Sequence, residues 1–477
     1  MTHSSGRGFG IRTLAAGAVV FGLLSGCHAA GPVRVDGDTS EWSGSEYARV
    51  DAEWVYLRLA PDGPPATLQG SELETRIWFD TDSDPATGLE TEAGGETLGA
   101  EFGVVLSPRR ENGEAGYGTS VLAYGGAGRA REIGHAGLGL HFSPTYASPE
   151  YEVRVSREKL GLGEGDELTV VMARGDWSRR VRVVGTEPGG EGAGWAGGAD
   201  ASWLDERAGW VRVMSWNVER GGPEANPMPF SRVLRALEPE VVLVQEWWDA
   251  DGATIERWLK RYGAIENSRW EAVAYADGGV SVLTRLPIVL RLDEPVGLPG
   301  ERDVRFVGAV VESGSGPMLV GSVHLKCCGS LGSEEDLRRV REAEAIAAYI
   351  VSVIDRVGVR TVVIGGDFNL VGSRPPLETL MTGLDVDGSD LALADPGHLR
   401  DHAVYTWRDG NSDFSPGHLD YVLVGDAESA IRRAFVLDTT TLDAPTLERY
   451  GLEASDSTAS DHLAVVVDVE VCPGGCE

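Results

Sequence analysis

The stretch Val359-Arg360-Thr361-Val362-Val363-Ile364-Gly365-Gly366-Asp367-Phe368-Asn369 constrains the fold most. A β-branched apolar run reads as a buried strand, and this one stops abruptly at two glycines, a carboxylate and an amide. In open α/β sheets sites gather at strand C-terminal ends, because helices cover the faces and only the strand ends open into a crevice. Glycines there let backbone pass close to a ligand. Asp and Asn after Gly also make ordinary turns, so this stretch alone leaves a turn and a site as alternatives.

Repetition favours the site. Val211–Trp216 ends at Asn217, Val241–Gln245 at Glu246 and Met318–Val323 at His324, and Ser460-Asp461-His462 precedes the run Leu463–Val467. Asn, Glu, His, Asp/Asn and Asp/His at strand edges form an inventory for a hard divalent cation plus proton transfer on a phosphate ester. Glu246 and Asp461, with Asn217 completing an oxygen-rich set, are the expected metal ligands; Mg²⁺ prefers one or two carboxylates and retained waters. Asp367 and Asn369 lie two apart and share a side if the strand continues.

Ser215-Trp216-Asn217, Gln245-Glu246, His324-Leu325, Gly366-Asp367-Phe368-Asn369, Leu419-Asp420-Tyr421 and Ser460-Asp461-His462 resemble, in order and spacing, the endonuclease/exonuclease/phosphatase superfamily with its deoxyribonuclease I-like fold. The resemblance spans roughly residues 205 to 471. It implies an α/β four-layer sandwich, two packed β-sheets flanked by helices, with the site at the top. It implies Mg²⁺ or Mn²⁺ on Asn217, Glu246 and Asp461, and catalytic roles for His324, Asp367, Asn369, Asp420 and His462. In that scheme His462 activates or orients the attacking water with Asp420 as its partner, and Asp367 helps to position the water. Asn369 donates to the pentavalent phosphate, and His324 to a phosphate oxygen or leaving group. Asp277 matches an acidic partner of His324, Thr406 a substrate-side Thr, and Arg285 a family Arg whose role is either at the substrate or structural; turn geometry explains Asp277 equally well. Trp247-Trp248 stands where several nucleases of the family carry a basic residue, and marks either a flat apolar substrate surface or packing.

At the N-terminus, Arg7 and Arg12 precede the apolar run Leu14–Leu24, too short to span a bilayer, which reads as a signal-peptide core. Leu24-Ser25-Gly26-Cys27 resembles the bacterial lipobox, which implies lipidation of Cys27 and a membrane association through the lipid anchor only; a plain secretory signal ending near Ala29-Ala30 is the alternative. Both place the mature chain outside the cytoplasm, and His28 after the cysteine, by resemblance to the usual sorting rule, favours an outer-membrane anchor in a diderm cell, with the cell surface as the alternative. Of the other cysteines, Cys472 and Cys476 could close a small loop, or either could reach back to the Cys327-Cys328 pair. Zinc is the rival, but adjacent cysteines lack the usual ligand spacing.

The 477 residues suggest two or three domains. Residues 1–27 form the signal and lipobox, 31–184 an all-β sandwich, 185–202 a Gly-rich linker, 203–471 the α/β domain and 472–477 a Cys-containing tail. The opening Asp36-Gly37-Asp38…Glu41-Trp42 resembles sugar-binding-module sandwiches of secreted enzymes, which implies the fold more than the ligand and leaves a glycan as the candidate partner. Asp80, Asp82 and Asp84 alternate along a loop that is either a Ca²⁺ cradle or a solvated acidic turn. The formal net charge of −32 disfavours long-range attraction to nucleic acid or anionic lipid, although cations bound at an acidic site neutralise it locally. The expected function is metal-dependent phosphoric-ester hydrolysis, nuclease-like on nucleic acid. The alternatives are release of a phospholipid or sphingomyelin head group, inositol-phosphate phosphatase activity, and non-catalytic surface binding.

Overall fold

A computed structural model of the chain describes residues 33–93, 96–109, 116–185, 201–205, 209–263, 265 and 269–476. The expected signal, lipobox and Cys27, and nearly all of the Gly-rich linker, lie outside the described residues.

The region before the linker is built from strands. A four-stranded sheet holds Trp54–Leu59 and Tyr151–Ser156 at its centre, and a six-stranded sheet holds Thr75–Asp80 between Glu167–Arg174 and Phe102–Leu106. Alternate residues of both sheets, Val55, Leu57, Ile77, Phe79, Val104, Val153 and Val170 among them, meet in one apolar core. Period-2 patterning therefore makes this an all-β sandwich.

After the linker the same alternation builds four layers. A seven-stranded sheet contains Val211–Asn217, Val241–Gln245 and Ala464–Val471, and a six-stranded sheet contains Pro317–His324, Thr361–Asp367 and Asp420–Val424. One set of side chains, including Val213, Leu243, Val320, Val363, Val422 and Val465, fills the space between the sheets. The opposite set packs against helices: Met214 and Trp216 meet Phe230 and Leu234 on one side, and Val362 and Ile364 meet Ile346 and Ile350 on the other. Gly365 lets the sheets approach, since a Cβ there would stand 2.9 Å from Leu243 Cδ1. The parity that sends Val213, Val320, Val363 and Val422 inward also aims Asn217, His324, Asp367 and Asp420 between the sheets, at their open edge.

The helix Glu334–Val357 that feeds the Asp367 strand is N-capped by Ser333, which accepts from the Asp336 N–H. Leu337, Val340, Ile346, Ile350 and Ile354 recur in the sequence at the spacing of one apolar helix side, yet Leu337 is exposed, and the first turns bury Asp336, Arg339 and Glu342 instead. These polar side chains serve neighbouring backbone: Asp336 accepts from Gly332 and Ser373 N–H, Arg339 donates to Lys326 and Cys328 C=O, and Glu342 accepts from Lys326 N–H.

The two regions are joined by specific bonds. Arg154 of the sandwich makes a two-pronged pair with Asp401 at 2.6 and 3.0 Å, and Thr145 Oγ1 donates to Leu370 C=O. Ser415 N–H donates to Gln69 Oε1, and Thr119 N–H to Asp413 C=O. The sandwich thus braces both the chain just after Asn369 and the long connection that leads into Asp420.

Candidate active site

Strand register places three side chains abreast. His324 pairs with Asp367 across the parallel ladder, and Asp367 pairs with Asp420 across the antiparallel one. Asn217 and Glu246 end two parallel strands of the facing sheet. His462 precedes the strand Ala464–Val471, where Ser460 fixes the turn by donating to Asn217 C=O and accepting from His462 N–H.

Asp367 Oδ2 is the point of convergence. Asn217 Nδ2 lies 3.2 Å from it, His324 Nε2 3.5 Å and His462 Nε2 3.8 Å, while Asp367 Oδ1 accepts from Asn369 N–H at 3.0 Å. Backbone conformation enforces this aim. Gly366 has φ +151°, and a Cβ there would fall 1.9 Å from Val323 C=O. Glu246 and Asn369 take left-handed φ of +63° and +49°, local strain of a kind that packing holds at functional sites.

Protonation follows from partners. Burial lifts the Asp367 carboxyl to about 7, against the opposing pull of the His462 charge. Burial presses the His462 imidazolium down, but Asp420 Oδ2, 2.8 Å from Nδ1, and Asp367 beyond Nε2 outweigh it and raise it to about 10. His324 is held well below its ordinary value by burial and by the charges of Arg305 and His462. Arg305 approaches His324 Nδ1 at 3.1 Å and can only donate, so His324 is neutral and carries its proton on Nε2, facing Asp367.

Three expected substrate residues do other work. Asp277 is exposed on a short turn, and it is Arg305 that meets the His324 ring, at Nδ1. Arg285 lies at the far end of the sheet, beside the residue paired with Val241, and binds Glu240 and the carbonyls of Glu238 and Pro239. Thr406 is fully buried; its hydroxyl accepts from the Leu419 and Asp420 N–H groups and so sets the backbone that carries Asp420.

The expected metal ligands are only partly gathered. Glu246 Oε1 faces Asn217 Nδ2 at 3.4 Å and His324 Nε2 at 3.9 Å, but Asn217 turns its amide nitrogen to the carboxylates because Oδ1 accepts from Glu219 N–H. Asp461 Oδ2 accepts from Trp407 Nε1. Glu219 links the two sides, since its Oε2 accepts from Asp461 N–H. Glu246, Asp367, Asp420 and Asp461 together face two cations, His462 and Arg305, so the donor set fits a divalent cation by charge as well as by oxygen chemistry. Trp247 is core, edge-on to Trp258, whereas Trp248 is half-buried with its ring centre 6.2 Å from that of His324.

In the sandwich, carboxylate oxygens of Asp80, Asp82 and Glu101 lie within 4.8 Å of one another. Asp84 is not among them and accepts from Ala86 N–H through Oδ1; Glu101 comes from a neighbouring strand end that alternation within one loop could not reveal. Sequence reasoning missed Arg305 and Glu219 for the same reason: neither ends an apolar run, and only the fold brings them to the site.

The model of the Endonuclease/Exonuclease/phosphatase family matches residues 214–462. Among solved structures, a 3'-5' exonuclease from Neisseria meningitidis is similar at 19% identity and TM-score 0.38, over 55% of this chain and 100% of that one. A beta toxin variant from Staphylococcus aureus, solved with bound magnesium ions, is similar at 15% identity and TM-score 0.35, over 54% and 99%. Truncated TDP2 from Caenorhabditis elegans is similar at 14% identity and TM-score 0.38, over 56% and 100%. No curated protein matched the chain in sequence.

Proposed function

Because the chain belongs to the endonuclease/exonuclease/phosphatase family, we propose that it is a metal-dependent phosphodiesterase acting outside the cytoplasm, anchored through Cys27. The observation that carries this reading is the convergence of Asn217, His324 and His462 on Asp367 Oδ2. A buried carboxyl lifted to about 7 is matched to taking a proton from water near neutral pH, and an imidazolium held by Asp420 is matched to the negative charge that grows on phosphate. This assigns Asp367 as the proton acceptor and His462 as the cation, rather than His462 as the base. His324 Nε2–H and Asn369 Nδ2 supply neutral donors at the same edge; in the structure Asn369 Nδ2 rests on Leu325 C=O. Glu246, Asn217 and Asp461 would hold Mg²⁺ or Mn²⁺, which when bound supplies Lewis-acid charge at the phosphate.

The substrate class we propose is nucleic acid. A second reading, release of a phospholipid head group, is favoured by the half-buried Trp248 beside His324 and by the net charge of −32. Plasmid DNA, RNA and sphingomyelin assayed side by side at low and moderate salt separate them. Lipid cleavage with nucleic acid untouched at every salt concentration reverses the order, and phosphate release from inositol phosphates alone displaces both.

A further inference from the structure

The chain leaving His324 runs Leu325-Lys326-Cys327-Cys328-Gly329 on its way to the helix capped by Ser333. Cys327 and Cys328 are both free thiols, half-buried and exposed respectively, and their sulfurs lie 2.8 Å apart. A covalent S–S bond is about 2.05 Å, so the pair stands within an ångström of bonding distance. Cys472 and Cys476 are bonded to each other, which leaves the adjacent pair without another disulfide partner among the described residues.

The loop is clamped on either side of the pair. Arg339, fully buried, donates to Lys326 and Cys328 C=O, each at 2.8 Å, and Lys326 N–H donates to Glu342 at 2.7 Å. Cys328 has φ +70°, so the strain of this segment is concentrated at the pair. One residue earlier, Leu325 C=O accepts from Arg305 at 2.6 Å and from Asn369 Nδ2 at 3.3 Å, and Arg305 also holds His324 Nδ1. Any shift of the loop is therefore passed to two residues of the site.

We propose that Cys327 and Cys328 are a modification site: they close into an intramolecular disulfide by exchange with a small-molecule disulfide, and closure resets His324 through Leu325 and Arg305. The Cys327 thiolate attacks one sulfur of the small disulfide, whose S–S bond breaks and whose other half leaves as a thiolate that takes up a proton. Cys328 then gives up its proton and attacks Cys327 Sγ, expelling the second half as a thiol. The two cysteine thiols lose two electrons and two protons, and the small disulfide becomes two thiols. Cys327 is suited to the first step: the Cys328 thiol hydrogen bond, helped by Lys326 Nζ at 3.7 Å, pulls it down to about 6.

The test uses the full chain, reduced and then exposed to oxidised glutathione, with thiol titration, intact mass and peptide mapping as readouts independent of any activity. The expected result is loss of four titratable thiols and of four hydrogens in mass, two of each mapped to residues 327–328 and two to the reclosed Cys472–Cys476 bond, with no glutathione retained at residues 327–328. Cys328→Ser is expected to stop with glutathione on Cys327. Two thiols that stay titratable, stable adducts on both cysteines, or a linked dimer overturn the proposal. The second clause rests on the phosphodiesterase reading: kcat on bis-p-nitrophenyl phosphate is expected to change on closure in the wild type and not in Cys327→Ser. Closure with unchanged kcat overturns the link to His324 while leaving the modification standing.

Discussion

His462 Nδ1 lies 2.8 Å from Asp420 Oδ2, and both groups are buried where the two sheets open. The pair fixes the ring so that Nε2 faces Asp367, and it makes the imidazolium the favoured form near neutral pH.

Asp420→Asn removes the charge that raises His462. The descending limb of the pH–rate profile, which reports loss of the imidazolium, is expected to move to lower pH by roughly one to three units. A profile measured on a diester substrate checks this; an unmoved alkaline limb would detach His462 from the reaction.

Gly366→Ala places a Cβ against Val323 C=O at a φ that L side chains rarely adopt. Strain of this kind costs on the order of 1–3 kcal/mol, and here the contact is with backbone that cannot step aside. Denaturant unfolding should show a loss at or above that range, and wild-type stability would contradict the geometry.

The bond between the sandwich and the α/β domain is sensitive to charge. Asp401→Asn leaves Arg154 buried and unpaired, which typically costs about 3–5 kcal/mol. Limited proteolysis should then cut the Asp409–Phe414 connection, exposed at Gly410, Asn411, Asp413 and Phe414, faster than in the wild type.

Acid should loosen the same region. His141 and His398 are fully buried, and burial holds both below the ordinary imidazole value. A depressed folded-state value means that the unfolded chain binds the extra proton. Their contribution is therefore whole above about pH 6.5 and is lost as pH falls below it. His462, raised instead, contributes most below pH 6.5 and loses that contribution as pH climbs toward about 10. Melting temperature followed from pH 8 to pH 4 should fall on the acid side; a flat profile would remove the buried histidines from the account.

The α/β domain was legible because most site residues flank an apolar run, Asn217, Glu246, His324 and Asp367 at its end and Asp420, Asp461 and His462 at its start, and strand parity carries Asn217, His324, Asp367 and Asp420 to one edge. What alternation does not encode is which loop side chain reaches in from elsewhere. Arg305 displaced Asp277 as the partner of His324, Thr406 proved to be a backbone clamp, and Glu101 replaced Asp84 in the acidic cluster. The helix after Ser333 misled for a related reason. Leu337 fits the apolar period, but the backbone of the Lys326–Gly332 loop needs hydrogen bonds, so Asp336, Arg339 and Glu342 take the buried side.

Hydrolysis of bis-p-nitrophenyl phosphate with Mg²⁺ or Mn²⁺, compared between wild type and Asp367→Asn, decides whether Asp367 is the proton acceptor of a metal-dependent phosphodiesterase. Turnover in the wild type is expected to be EDTA-sensitive, and the variant is expected to lose about 10²–10⁴ in rate at unchanged or higher melting temperature. Wild-type turnover that survives EDTA, or an Asp367→Asn protein that keeps its rate, would contradict that role.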